Sequence, residues 1–249
     1  SSRDHRQIYP HPGWVEHDAE EIWQNVLAVL RDLAARHDLS QLAGLSLTNQ
    51  RETVVVFDRQ TGQPLHHALV WQDRRGDALC QKLREQGREK LVQAKTGLKI
   101  DTYFSASKLA WLIENKPDLA AKLRDGSAVI GTMDAYLIHR LTGGSVFATD
   151  HTNASRTLLF DITALRWDAE LCDLFGVPMS LLQVLIEALE ARYERVLLLD
   201  QHAAQIILAG RERRIVVGGD LRQFLAQGRQ ACGDFLAAAQ DRRGGRLEL

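Results

Sequence analysis

Positions 47–57 read Leu-Thr-Asn-Gln-Arg-Glu-Thr-Val-Val-Val-Phe, which sets Asn49, Gln50, Arg51 and Glu52 between two apolar segments. Turns draw on Gly, Pro, Asn and Asp for backbone reasons, and neither Arg nor Glu has that use. Two readings of Arg51 and Glu52 are open. One is an ion pair at the surface, worth little to stability. The other is a cleft where a guanidinium donates and a carboxylate accepts hydrogen bonds, an arrangement suited to the adjacent hydroxyls of a polyol. A similar pattern follows at Val70-Trp71-Gln72-Asp73-Arg74-Arg75, where an apolar run ends in an indole and turns at once to polar groups. Trp71 is either a core residue ahead of a solvated helix start or an aromatic wall for the carbons of a small polar ligand. In Asp101-Thr102-Tyr103-Phe104-Ser105, a capping role accounts for Ser105 and leaves the paired aromatics Tyr103 and Phe104 unexplained.

Other chemistries find no support. The histidines lie outside any HExxH or nucleophile-elbow context, there is no complete Walker A loop and no GxGxxG, and Leu-Thr-Gly-Gly-Ser at 141–145 reads as a helix stop. Cys80, Cys172 and Cys232 are far apart and lack CxxC spacing, so neither a disulfide framework nor a zinc site is indicated, and a reducing cytoplasm fits. With 31 Lys and Arg against 32 Asp and Glu, the charge balance favours neither nucleic acid nor an anionic membrane as partner and points to small-molecule chemistry. Apolar runs are too short to span a bilayer, and the start at Ser1 fits a processed chain or a fragment.

The elements that must position these residues alternate strand and helix. A helix is expected over residues 19 to 37, capped by Asp18, with Ile22, Val26, Val29, Leu30 and Leu33 along one face. Strands are expected at 42 to 47 and 53 to 57, paired as a hairpin, and at 67 to 71, 127 to 131 and 153 to 163. Helices are expected at 77 to 87, 105 to 115, 119 to 123, 133 to 144 and 167 to 177, the last with Asp168 near its start. Repeated strand-to-helix succession argues an α/β fold. After residue 184 the chain is richer in Arg, Ala and Leu, and two strand-like runs there end in Asp200 and Asp220, the carboxyl-end position where open α/β sheets keep ligands.

Seven segments stand together in one order: Gln7 to Trp23 (QIYPHPGWVEHDAEEIW), LTNQRET, VWQDRR, TGLKIDTYFSASKLAWL, GTMDAYLIHRLTGG, TDHTNASRTLLFDI and WDAELCDLFGVPMSLL. In order and spacing, from residue 7 to 183, they resemble the FGGY carbohydrate kinases, and within them the glycerol kinases. The resemblance implies an α/β domain of actin-like, ribonuclease-H-like fold, a mixed sheet flanked by helices that lacks most of its first strands. Residues 1–183 would be the N-terminal, glycerol-binding domain and 184–249 a divergent end of it, with the family's second, nucleotide-binding domain absent.

By the same resemblance Arg51 and Glu52 hold glycerol hydroxyls, Trp71 packs on the carbons and Tyr103 supplies a further hydroxyl contact. The implied reaction moves the γ-phosphoryl group of ATP, with Mg2+, to a terminal hydroxyl of glycerol, giving glycerol 3-phosphate and ADP. Of the family's phosphate loop, D-x-G-T-T-S-S-R, only Ser1, Ser2 and Arg3 are present, and Arg3 is the residue left to reach phosphate. Asp220 matches the family's catalytic aspartate and is the implied general base, although a helix cap is an equal reading. No metal ligand is assigned. A kinase for a pentulose or another polyol, and an inactive binding fragment, are the alternatives. The expected partner is glycerol or a similar polyol in the cytoplasm, without nucleic acid or membrane, and self-association is left open.

Overall fold

The structure is a computed structural model that describes residues 1–37, 45–182, 184–186 and 205–208. In chain order its elements begin with β1 (Gln7–Ile8), β2 (Glu16–His17), α1 (Ala19–Arg36), β3 (Leu45–Thr48), β4 (Val54–Asp58) and β5 (Ala68–Leu69). Four helical segments follow with one strand among them: α2 (Asp77–Glu85), α3 (Glu89–Thr96), α4 (Ser105–Asn115), α5 (Pro117–Arg124) and then β6 (Ala128–Thr132). The remainder comprises α6 (Met133–Leu141), β7 (Ala148–Asp150), α7 (His151–Ala154), β8 (Phe160–Asp161), β9 (Arg166–Trp167), α8 (Ala169–Phe175), β10 (Val184–Ile186) and β11 (Gln205–Leu208).

A five-stranded sheet in the order β1-β2-β5-β4-β6, antiparallel at every pairing, forms the middle layer. Successive residues of a strand point to opposite faces, and β4 shows the consequence. Val54 and Val56 enter one core with Cys80 and Leu83 of α2, Leu109 and Leu112 of α4 and Leu119 and Leu123 of α5. Val55 and Phe57 enter the other core with Ile22, Trp23, Val26 and Leu30 of α1 and Met133, Tyr136 and Leu137 of α6. The unbroken apolar run of β4 thus reflects helices on both faces of the sheet, in keeping with the α/β fold and flanking helices expected from the sequence.

Three of the helix-end signals hold. Asp18 caps α1 by accepting from the Glu20 and Glu21 amides, and Asp168 caps α8 by accepting from Leu171 N. The stop after α6 is made by Gly143 and Gly144, both at positive φ, with Gly144 N donating to His139 O at 2.8 Å.

Three expectations are corrected. The 42–47 and 53–57 segments do not form a hairpin: β3 pairs antiparallel with β11, and β4 pairs with β5 and β6. The stretch 153–163 is not one strand. It ends helix α7, turns, and contributes only Phe160–Asp161 as β8, because Asp150 accepts from the Thr152 and Asn153 amides and starts a helix there. Ser105 is the first residue of α4 and does not cap it. The sole parallel pairing among the described residues joins β7 and β10. No helix among the described residues is long and apolar enough to cross a membrane. The strand-like runs ending in Asp200 and Asp220 lie outside the described residues.

Candidate functional site

Three segments converge on Glu52. The first is its own turn, closed by Thr53 N donating to Gln50 O at 3.0 Å and by Thr53 Oγ1 donating to Gln50 Oε1 at 2.9 Å. The second is the start of α4, where Ser105 Oγ donates to Glu52 O at 3.1 Å. The third is the end of α7, where Asn49 Nδ2 donates to Asn153 Oδ1 at 3.0 Å and Arg156 Nε donates to Glu52 Oε1 at 2.7 Å. Asn49 and Gln50 therefore fasten the turn. Glu52 is buried, at 5% exposure, and its charge needs the countercharge that Arg156 supplies. The surface ion pair between Arg51 and Glu52 is accordingly not formed. Arg51 is half-buried and, among the described residues, has no hydrogen-bond or ion-pair partner.

Aromatic rings complete the cluster, Tyr103 and Phe104 from the segment that leads into α4 and Trp71 from the end of the β5 segment. The Arg156 guanidinium lies 4.9 Å from the Phe104 ring centroid and 5.8 Å from that of Tyr103. Tyr103 in turn packs on Trp71, with ring centroids 5.2 Å apart and planes tilted by 51°. Trp71 is half-buried and belongs to neither of the two core clusters. The rest of its segment is structural. Asp73 accepts from Val15 N at 2.7 Å and from Arg75 Nε at 2.8 Å, while Arg75 also pairs with Glu16 and lies over the rings of Trp14 and Trp111. Those buried contacts anchor the strand end and leave Trp71 at its edge. The cluster thus offers a carboxylate and an aromatic wall, and next to Glu52 in the chain a guanidinium with no partner among the described residues, which is chemistry for a small molecule with adjacent hydroxyls on a short carbon chain.

The structure unites Glu52, Trp71 and Tyr103 through Arg156, with Arg51 beside Glu52. Arg3 is elsewhere: its Nη2 pairs with Asp32 of α1 at 2.6 Å. Asp220 lies outside the described residues. Sequence reasoning missed Arg156 and also Lys108, whose Nζ donates to the carbonyls of Thr102, Tyr103 and Phe104 behind the aromatic wall. The signal for Arg156 was the Asp150 cap, which marks a helix where alternation suggests a strand. A separate surface hollow of about 340 Å³, lined by Leu65, His66 and the Lys116–Lys122 region, includes none of these residues.

The family model described as the FGGY family of carbohydrate kinases, N-terminal domain, matches residues 1–219. The chain belongs to this family. Among its FGGY relatives, a glycerol kinase of Polaromonas sp. (strain JS666 / ATCC BAA-500) is 54% identical over 178 residues, covering 71% of this chain and 36% of that protein. A glycerol kinase of Rhodospirillum rubrum is 49% identical over 189 residues, covering 75% and 38%. The chain thus spans little more than a third of the length of these relatives. The crystal structure of Plasmodium falciparum glycerol kinase with ADP superimposes with a TM-score of 0.66 at 40% identity, covering 74% of this chain and 37% of that one. A ligand-bound xylulose kinase from Lactobacillus acidophilus gives 0.65 at 24% identity, covering 74% and 36%, a likeness of fold alone.

Proposed function

We propose that this FGGY chain holds glycerol as the acceptor of a phosphoryl group from ATP, within an enzyme that forms glycerol 3-phosphate and ADP. Residues 1–183 are the glycerol-binding unit in this reading. The observation that carries it is the convergence of the Glu52 carboxylate, held by Arg156, with the Trp71 and Tyr103 rings, beside a guanidinium at Arg51 that has no partner among the described residues. Roughly half-identical glycerol kinases favour three carbons over a pentulose.

The chain's own residues do the orienting. Arg51 donates to neighbouring hydroxyl oxygens, Glu52 accepts from a hydroxyl through the oxygen that Arg156 does not occupy, and the Trp71 and Tyr103 rings cover the carbon face and exclude water from it. Fixing the hydroxyls in this way converts an encounter into a positioned reaction. The described residues do not fit the phosphate side: Arg3 is engaged by Asp32, and among them no group of three or more His, Cys, Asp or Glu could hold a metal ion. Asp220 remains our proposal for the general base, and the cytoplasm our proposal for the setting, in keeping with the free, buried Cys80 and Cys172.

Calorimetric titration of glycerol into the chain tests the reading, with a coupled ADP assay in ATP and Mg2+ to ask whether turnover accompanies binding. Arg51→Ala is expected to weaken glycerol binding by about 10- to 100-fold, the loss of a charged hydrogen-bond donor. An unchanged affinity removes Arg51 from the site, and tighter binding of xylulose than of glycerol overturns the substrate assignment.

A further inference from the structure

Lys108 is fully buried in the first turn of α4, where the helix's own N–H groups already present partial positive charge. An ammonium there is disfavoured both by lost hydration and by the helix end. Among the described residues it forms no ion pair. Its three donors run instead to three consecutive carbonyls: Thr102 O at 2.6 Å, Tyr103 O at 3.2 Å and Phe104 O at 2.7 Å. An ammonium has three N–H bonds, and here each has an acceptor. Those carbonyls belong to the segment that sets the Tyr103 ring on Trp71 and the Phe104 ring beneath Arg156.

We infer that Lys108 is a positioning residue for polyol binding, acting through the 102–104 backbone to hold the aromatic wall opposite Glu52. The inference rests on the polyol reading of this site. A costly buried cation is placed where it fixes a binding segment and touches no ligand itself.

A pH signature follows from the same geometry. Burial lowers Lys108 from 10.5 to about 7, against the opposing influence of Asp73, Cys80, Glu52 and Asp101. The other charged groups around the segment, among the described residues, are Asp77, which accepts from Thr102 Oγ1, Arg84, which donates to Ile100 O, Glu89, which accepts from Ile100 N, Arg75 on Asp73, and Arg156. A neutral amine keeps two donors for three carbonyls, so the hold on 102–104 loosens as pH rises through about 7. Stability moves in the opposite sense. With its folded pKa below its unfolded one, Lys108 binds fewer protons in the folded chain between about 7 and 10.5, so its own contribution to stability rises over that window. Opposed slopes in affinity and in stability separate positioning from a merely structural role.

The test titrates glycerol calorimetrically into the 249-residue chain and its Lys108→Met variant between about pH 6 and pH 9, with melting temperatures at each pH. Wild-type affinity is expected to fall by about three- to tenfold across that range while the variant is flat. At the acid end Lys108→Met is expected to bind about tenfold more weakly than wild type. Affinity that ignores both pH and Lys108 overturns the inference alone. Absence of any glycerol response in the wild type overturns the polyol reading and this inference with it. Should Lys108→Met fail to fold, hydrogen exchange of the 102–106 amides in the wild type decides: intrinsic-rate-corrected protection must fall as pH rises through about 7, and constant protection overturns the inference.

Discussion

Arg156 Nε reaches Glu52 Oε1 across 104 positions of the chain, while Arg51, the neighbour of Glu52, stays unpaired among the described residues. The pairing leaves one cation committed to holding the carboxylate and one available to a ligand. It also yields a coupled prediction. Arg156→Met is expected to destabilise the chain by about 2–4 kcal/mol, since it strands a nearly buried carboxylate, and to weaken glycerol binding by about tenfold or more. In a Glu52→Gln background the same substitution is expected to change glycerol affinity little, because there is no longer a carboxylate to hold. Calorimetry on the four proteins measures the coupling, and additive losses would show that Arg156 acts independently of Glu52. Arg51, Glu52, Trp71 and Tyr103 were legible in the sequence by chemical type and family resemblance. Arg156 was not, because its segment alternates like a strand.

The elements show where periodicity suffices. Val54 to Phe57 face two cores in alternation, and the helices on either side were readable from their apolar spacing. Leu109 in α4 is 2% exposed and packs in the same core as Val54, Val56 and Cys80. Leu109→Ala is expected to cost about 2–5 kcal/mol in chemical unfolding, and a loss below about 1 kcal/mol would mean the site collapses onto the cavity. The short helix α3 escaped the sequence reading, since its eight residues bury only Val92 and Thr96 and carry little apolar repeat. Ser105 looked like a cap because Ser suits that position. In the fold its hydroxyl instead ties α4 to the turn that carries Glu52.

At the scale of the whole molecule two buried groups give stability opposing pH slopes. Burial lifts Asp134 from 3.8 to about 6, even with Thr149 Oγ1 donating to it at 2.7 Å. Its contribution is complete below about 3.8 and is lost as pH rises through about 6. Burial and His5 lower His17 from 6.5 to about 4, so its contribution is present above about 6.5 and is lost as pH falls through about 4. Asp134→Asn is expected to raise stability at neutral pH by up to about 3 kcal/mol and to leave the His17 acid slope uncovered. Melting temperatures across that pH range check both parts, and an unchanged neutral-pH stability would remove Asp134 as a source of the slope. Helix faces, the Asp18 and Asp168 caps, the glycine stop after α6 and the two-sided burial of β4 were determined by the sequence itself, because each depends on residues a few positions apart. The pairing of β3 with β11, the bond of Glu52 to Arg156 and the grip of Lys108 on the aromatic segment were decided only in three dimensions. Strand partners and countercharges are chosen by which surfaces meet after the layers pack, and a local stretch of residues carries no record of that choice.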